Sequence, residues 1–184
     1  MTYNDVARCE LNRRLFMDYW QEITHRPGAE ACLAALDASD FFRAPASRKH
    51  HGAQPGGLAV HSINVCEELL HIASLYPGTI DRESAILVAL LHDVCKCNFY
   101  ERTDNGYTIH DELPMGHGEK SLYMVMRTGL QLTDEEAAAI RWHMGAYSDP
   151  DKLQTLGQAF DKYPLALFLH LADMIAAHYI ELED

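Results

Sequence analysis

The sequence predicts an all-α fold carrying one small β-hairpin, and three observations lead there. Apolar residues recur at helical spacing along most of the chain. Proline, glycine and capping residues divide it into segments of ordinary helix length. Only residues 98–112 join β-forming residues to a hairpin turn signal.

The elements follow in order. Asn4 can cap a first helix to about Ile23, with Val6, Leu11, Leu15, Tyr19 and Ile23 as its apolar positions. Pro27 suits the first turn of a short second helix through Leu36. These two make an N-terminal flank over residues 1–43, and the long loop of Pro, Gly, Ser and His from Ala44 to Gly57 opens the core, residues 44–180. Gly57 leads a helix to about Tyr76, closed by Pro77 and Gly78, and Asp81 can cap the next, which holds His92 and Asp93 near its C-terminal end. Tyr100 and Tyr107 flank Asp104-Asn105-Gly106, the expected hairpin turn. A helix is expected from His117 to about Arg127. Thr133 to Glu136 forms a capping box for another ending at His143 to Gly145. Pro164 starts the last, through Ile180. With 184 residues and no linker or repeat, the chain reads as a single domain, residues 1–184.

Composition narrows the function. Fifteen Lys and Arg against 27 Asp and Glu give a formal net charge of −12, which counts against nucleic-acid backbones and anionic membranes as partners. No apolar stretch approaches bilayer length and no secretory signal stands at the N-terminus, so the expectation is a soluble cytoplasmic protein. Five cysteines, odd in number and without Cys-x-x-Cys spacing, agree with a reducing compartment.

The most informative residues break the burial pattern. His92 and Asp93 directly follow the apolar run from Ala85 to Leu91, and Asp173 interrupts another from Leu165 to Ala177. A charge there needs a strong partner, because an unpaired buried ion costs several kcal/mol. His61, His117 and His143 each punctuate a further helix or helix end. One such histidine alone is ordinarily exposed or hydrogen-bonded. The six together, about one helix and its connector apart, converge if each helix of a bundle turns one ligand inward. Imidazole and carboxylate suit Fe, Mn, Zn, Ni or Co. Six protein ligands exceed the needs of one catalytic metal, so two metals bridged by Asp93 are the favoured count over one.

The order His, His-Asp, Asp in a helical chain resembles the HD-domain superfamily of metal-dependent phosphohydrolases. Gly57-Leu58-Ala59-Val60-His61 is similar to that family's first histidine motif, Leu91-His92-Asp93-Val94-Cys95-Lys96 to its signature, and Leu171-Ala172-Asp173 to its last aspartate. Gly116-His117-Gly118 and Trp142-His143-Met144 resemble the additional histidines of members with two metals. A departure is Cys95, where many members carry glycine.

The resemblance implies an HD-type helical bundle in which His61, His92, Asp93 and Asp173 hold one metal and Asp93, His117 and His143 the second. Metal coordination would lower the pKa of a water that attacks phosphorus. Lys96, one turn beyond Asp93, would face a phosphate oxygen of the substrate. Lys120, one turn beyond His117, is the better of two further phosphate ligands, since Arg141 stands two residues from His143, off its face. Arg48 and His51 lie in a locally basic loop that could draw an anionic substrate, and His170 is placed to support Asp173. The expected substrate is a small phosphate ester such as a nucleotide. Two other readings share the ligands: a mixed-valent diiron oxygenase of the myo-inositol oxygenase type, and a non-catalytic nucleotide-sensing module. Oligomeric state is not legible in the chain.

Overall fold

The computed structural model describes residues 1–49, 52–104, 106–147 and 150–183. Among these, eight α-helices run in the order α1 (Tyr3–Trp20), α2 (Ala29–Ala38), α3 (Gly57–Leu75), α4 (Arg82–Leu91), α5 (His117–Arg127), α6 (Asp134–Trp142), α7 (Leu153–Lys162) and α8 (Pro164–His178). Between α4 and α5 stand β1 (Tyr100–Thr103) and β2 (Gly106–Ile109), an antiparallel pair with Tyr100 opposite Ile109. The fold is thus the all-α class with a hairpin at residues 98–112 that the sequence predicts; Asn105, at the expected turn, lies outside the described residues.

α3 is the axis of the bundle. It packs on both α4 and α8, while α6 packs on α5 and α8. Its buried residues Leu58, Ile63, Val65, Cys66 and Leu69 cover most of its surface, as a helix enclosed by neighbours requires. α4 is buried at every position from Ala85 to Leu91, and its start is capped by the Asp81 carboxylate accepting from the Ser84 N–H at 2.9 Å. On α6 the capping box forms as expected: Thr133 Oγ1 accepts from the Glu136 N–H and Glu136 accepts from the Thr133 N–H.

The N-terminal helices pack against the hydrophobic core. α1 buries Cys9, Asn12, Phe16 and Trp20, whereas Val6, Leu11 and Leu15, three of the five apolar positions read from the sequence, are exposed; Ile23 is buried and Tyr19 partly so. The two aromatic rings decide the face, since each buries far more area than an aliphatic side chain. Phe16 stacks on Trp20 and meets Phe41 and Phe42 edge-on, and all four rings belong to the hydrophobic core. The cap of α1 is Thr2, paired with Asp5, and not Asn4.

α8 corrects an expectation as well. Pro164–Leu182 is apolar and long enough, by composition, to cross a membrane. The regular helix stops at His178 after 15 residues, short of the about 20 that a span needs. Its apolar side packs on α3 and α6, which accounts for the hydropathy as core. α7, with Leu156 buried, has no counterpart in the sequence reading.

Candidate metal centre

α4 ends at Leu91, and the backbone at Asp93 (φ −112°, ψ 18°) leaves the helix for a 3-10 turn, Val94–Lys96. Three residues per turn nearly eclipse positions i and i+3. Lys96 therefore sits directly over Asp93, its Nζ 2.5 Å from Oδ2. Asn98, with a left-handed φ of 53°, then redirects the chain into β1, its N–H held by the Asp40 carboxylate at 2.6 Å.

Around this turn the bundle gathers His61 from α3, His92 and Asp93 from the end of α4, His143 from the end of α6 and Asp173 from α8. His61 Nε2 lies 3.1 Å from Asp173 Oδ1 and 3.3 Å from His92 Nε2. His61, His92 and Asp173 offer ligand atoms within 4.8 Å of one another, a group that could hold a metal ion. Asp93 Oδ2 faces His61 and His92, each at 3.6 Å, while its other oxygen, Oδ1, faces His143 Nε2 at 3.5 Å.

All three histidines are fully buried and share one orientation. His92 Nδ1–H donates to the Ala89 carbonyl and His143 Nδ1–H to the Ile140 carbonyl, both at 2.8 Å, and His61 Nδ1–H donates to Glu181 Oε1 at 3.0 Å. Fixing Nδ1 as the donor turns each Nε2 toward the aspartates, where it can ligate a metal once it carries no proton, the arrangement found behind metal-ligating imidazoles. His143 Nε2 has no hydrogen-bond partner despite its burial. These donors fit a divalent cation.

The electrostatics agree. Burial opposes protonating His61, but the Asp173 and Glu181 carboxylates outweigh it and push the ring up to about 10. Burial depresses His92 to about 4, in spite of Asp93 and Asp173. Burial also resists ionising Asp93, yet Lys96, His92 and His143 hold it well below the usual carboxylate range. Two carboxylates with a third behind them thus concentrate negative charge where a cation is favoured.

Of the other predicted residues, His117 borders this cluster through Cys95. His117, at the exposed start of α5, has Nδ1 3.3 Å from Cys95 Sγ and packs edge-on against Phe99. Gly118 lets α5 approach α6, since a Cβ there would lie 2.0 Å from the Arg141 carbonyl oxygen. Lys120 is directed away: its Nζ is 2.6 Å from Asp111 and stands 4.7 Å from the centre of the Phe99 ring. Arg141 pairs with Glu119 and stacks on Trp142. Arg48 is exposed, and its charge and that of Lys96 both act on the Tyr100 phenol. His51 lies outside the described residues. His170 Nδ1–H donates to the His143 carbonyl at 2.6 Å, so it braces the helix end that carries His143 rather than Asp173 itself.

Glu181, which the sequence reading missed, follows α8 on the 3-10 turn Ile180–Glu183. A cavity of about 550 Å³ opens on the cluster, with Asp93, Lys96, His143 and Asp173 in its polar part and Met144, Tyr147, Met174, Ala177 and His178 around them.

Comparison with known families is decisive at this point, because the HD domain profile matches residues 58–177. The chain belongs to the HD-domain family. HD domains are generally metal-dependent phosphohydrolases that bind divalent metals, and the match runs from the helix of His61 to the helix of Asp173. Neither the curated proteins nor the solved structures gave a match.

Proposed function

We propose that this HD domain is a phosphohydrolase with two metals, bridged by Asp93, that cleaves a small phosphate ester, in the first instance a nucleotide. The observation that carries the reading is the division of the Asp93 carboxylate, with Oδ2 toward His61 and His92 and Oδ1 toward His143. His61, His92, Asp93 and Asp173 would hold one metal, and Asp93, His117 and His143 the second. Bound divalent metals supply a water of lowered pKa as the nucleophile and positive charge against the phosphoryl oxygens.

The chain's residues do the rest. Lys96 lines the cavity beside Asp93, so its ammonium is positioned to take a phosphate oxygen. Tyr147, Met144 and Met174 give the cavity the aromatic and apolar walls that would accept a base or another flat group. His61, clamped by Glu181, and His92, clamped by Ala89, keep their ligand nitrogens oriented.

The test is phosphate release across a panel of nucleotides and simple esters, with the protein loaded anaerobically with Mn, Co or Fe. Metal-dependent release is expected. Oxygen consumption by a two-iron form with no phosphate release would overturn hydrolysis in favour of oxygenation.

A further inference from the structure

Cys95 stands inside the second half of this site. Its thiol is buried, with Sγ 3.9 Å from Asp93 Oδ1 and 3.3 Å from His117 Nδ1. The same Oδ1 faces His143 Nε2 at 3.5 Å, the fully buried nitrogen without a hydrogen-bond partner. No direct ion pair joins His117 to Asp93 among the described residues; sulfur lies beside both. Oδ2, in contrast, pairs with nitrogen, from His61, His92 and Lys96.

We propose that Cys95 is a ligand of the second metal, completing a four-donor set of Asp93, Cys95, His117 and His143. This rests on the two-metal reading above. One carboxylate oxygen, two imidazole nitrogens and one thiolate suit a tetrahedral cation such as zinc, cobalt or ferrous iron, and disfavour the all-oxygen preference of magnesium or manganese. As the metal binds, the S–H bond is exchanged for a sulfur–metal bond and the proton leaves to solvent. The two positions then differ chemically, the first held by nitrogen and oxygen and the second by a donor set containing sulfur. Cys97 provides an internal control, because its buried thiol has Ser39 as its hydrogen-bond partner.

The experiment is X-ray absorption at the zinc edge on the full chain loaded with two equivalents of zinc, with the bound metal counted by elemental analysis. A sulfur shell at about 2.3 Å is expected in the wild type and in Cys97→Ser. It should disappear in Cys95→Ser while the nitrogen and oxygen shell stays. Cobalt loading should give a thiolate charge-transfer absorption that grows with the second equivalent and not with the first. Two bound metals without sulfur in the wild type would overturn the proposal and leave the hydrolase reading intact. One bound metal would overturn this proposal and the two-metal count together, while phosphate release would still judge the hydrolase. If Cys95→Ser does not fold, Cys95→Ala replaces it, and a wild type without sulfur decides against the ligand in either case.

Discussion

At the scale of single residues, the site sets two buried aspartates among imidazoles, a donor set that could hold a metal ion. Asp93 meets three imidazoles and an ammonium, so Asp93→Ala should remove bound metal and activity together, as elemental analysis and phosphate release would show. Undiminished metal content would refute the bridge. Lys96 acts on substrate in the proposed reaction and not on the metal. Lys96→Met should therefore lower kcat by about 10²–10³-fold with metal content unchanged, the scale seen when a fixed transition-state donor is lost. Glu181→Gln keeps the shape but weakens the charge behind His61, and metal affinity by calorimetry should fall about 10–100-fold. His92-Asp93 and Asp173 were legible in the sequence because a charge inside an apolar run has few ways to be stable. Glu181 was not, because it lies beyond the last predicted helix and alternates with Glu183, where a carboxylate reads as facing solvent although Ile180 and Leu182 flank it. The cations Arg48, Lys120 and Arg141 were the least legible, since the partner such a side chain finds depends on tertiary neighbours, Asp111 for Lys120 and Glu119 for Arg141.

At the scale of elements, the helices hold ligands because their ends are fixed. Glu136 closes the capping box of α6 while accepting from Arg26 at 2.6 Å and from Ser84 Oγ at 2.8 Å, tying α6 to α4 and to the chain before α2. Its carboxylate is fully buried. Glu136→Ala would strand the Arg26 guanidinium and open the cap, and should destabilise the fold by about 3–5 kcal/mol, measured by urea unfolding. Helix starts with a capping side chain or a proline, at Asp81, Thr133 and Pro164, were readable from the sequence. α7 was not: Lys152 gives it no side-chain cap, and only Leu156 of its residues is buried. The buried face of α1 was misread because spacing alone weighs Leu11 and Leu15 equally with Phe16 and Trp20, while packing weighs them by area.

For the whole molecule, metal binding and protonation compete. Without metal, His61 holds its proton up to about pH 10, and a ligating imidazole must be neutral. Binding at pH 7 should therefore release a proton from His61, and affinity should rise with pH, levelling off as His61 loses its proton near 10. Calorimetry in buffers of different ionisation heat checks both sign and stoichiometry; affinity that falls with rising pH would contradict it. Metal bound only by the folded state also raises stability, by about 2.7 kcal/mol at a free concentration of 100 Kd, so thermal unfolding should shift with metal concentration.

The hydrogen bond from His61 to Glu181 joins residues 120 positions apart, and this separation bears on when the site forms during folding. Such long closures carry the largest entropy cost and complete late, whereas α3 and α4 are sequence neighbours and can dock early. The His61 and His92 side of the centre should thus exist before Asp173 and Glu181 arrive. The expected folding order leaves a half-built centre with two imidazoles and Asp93 as their carboxylate, and the metal enters as the last helix and its terminal turn close over it. Pulse-labelling hydrogen exchange, following α3 against α8 during refolding, should show protection in that sequence.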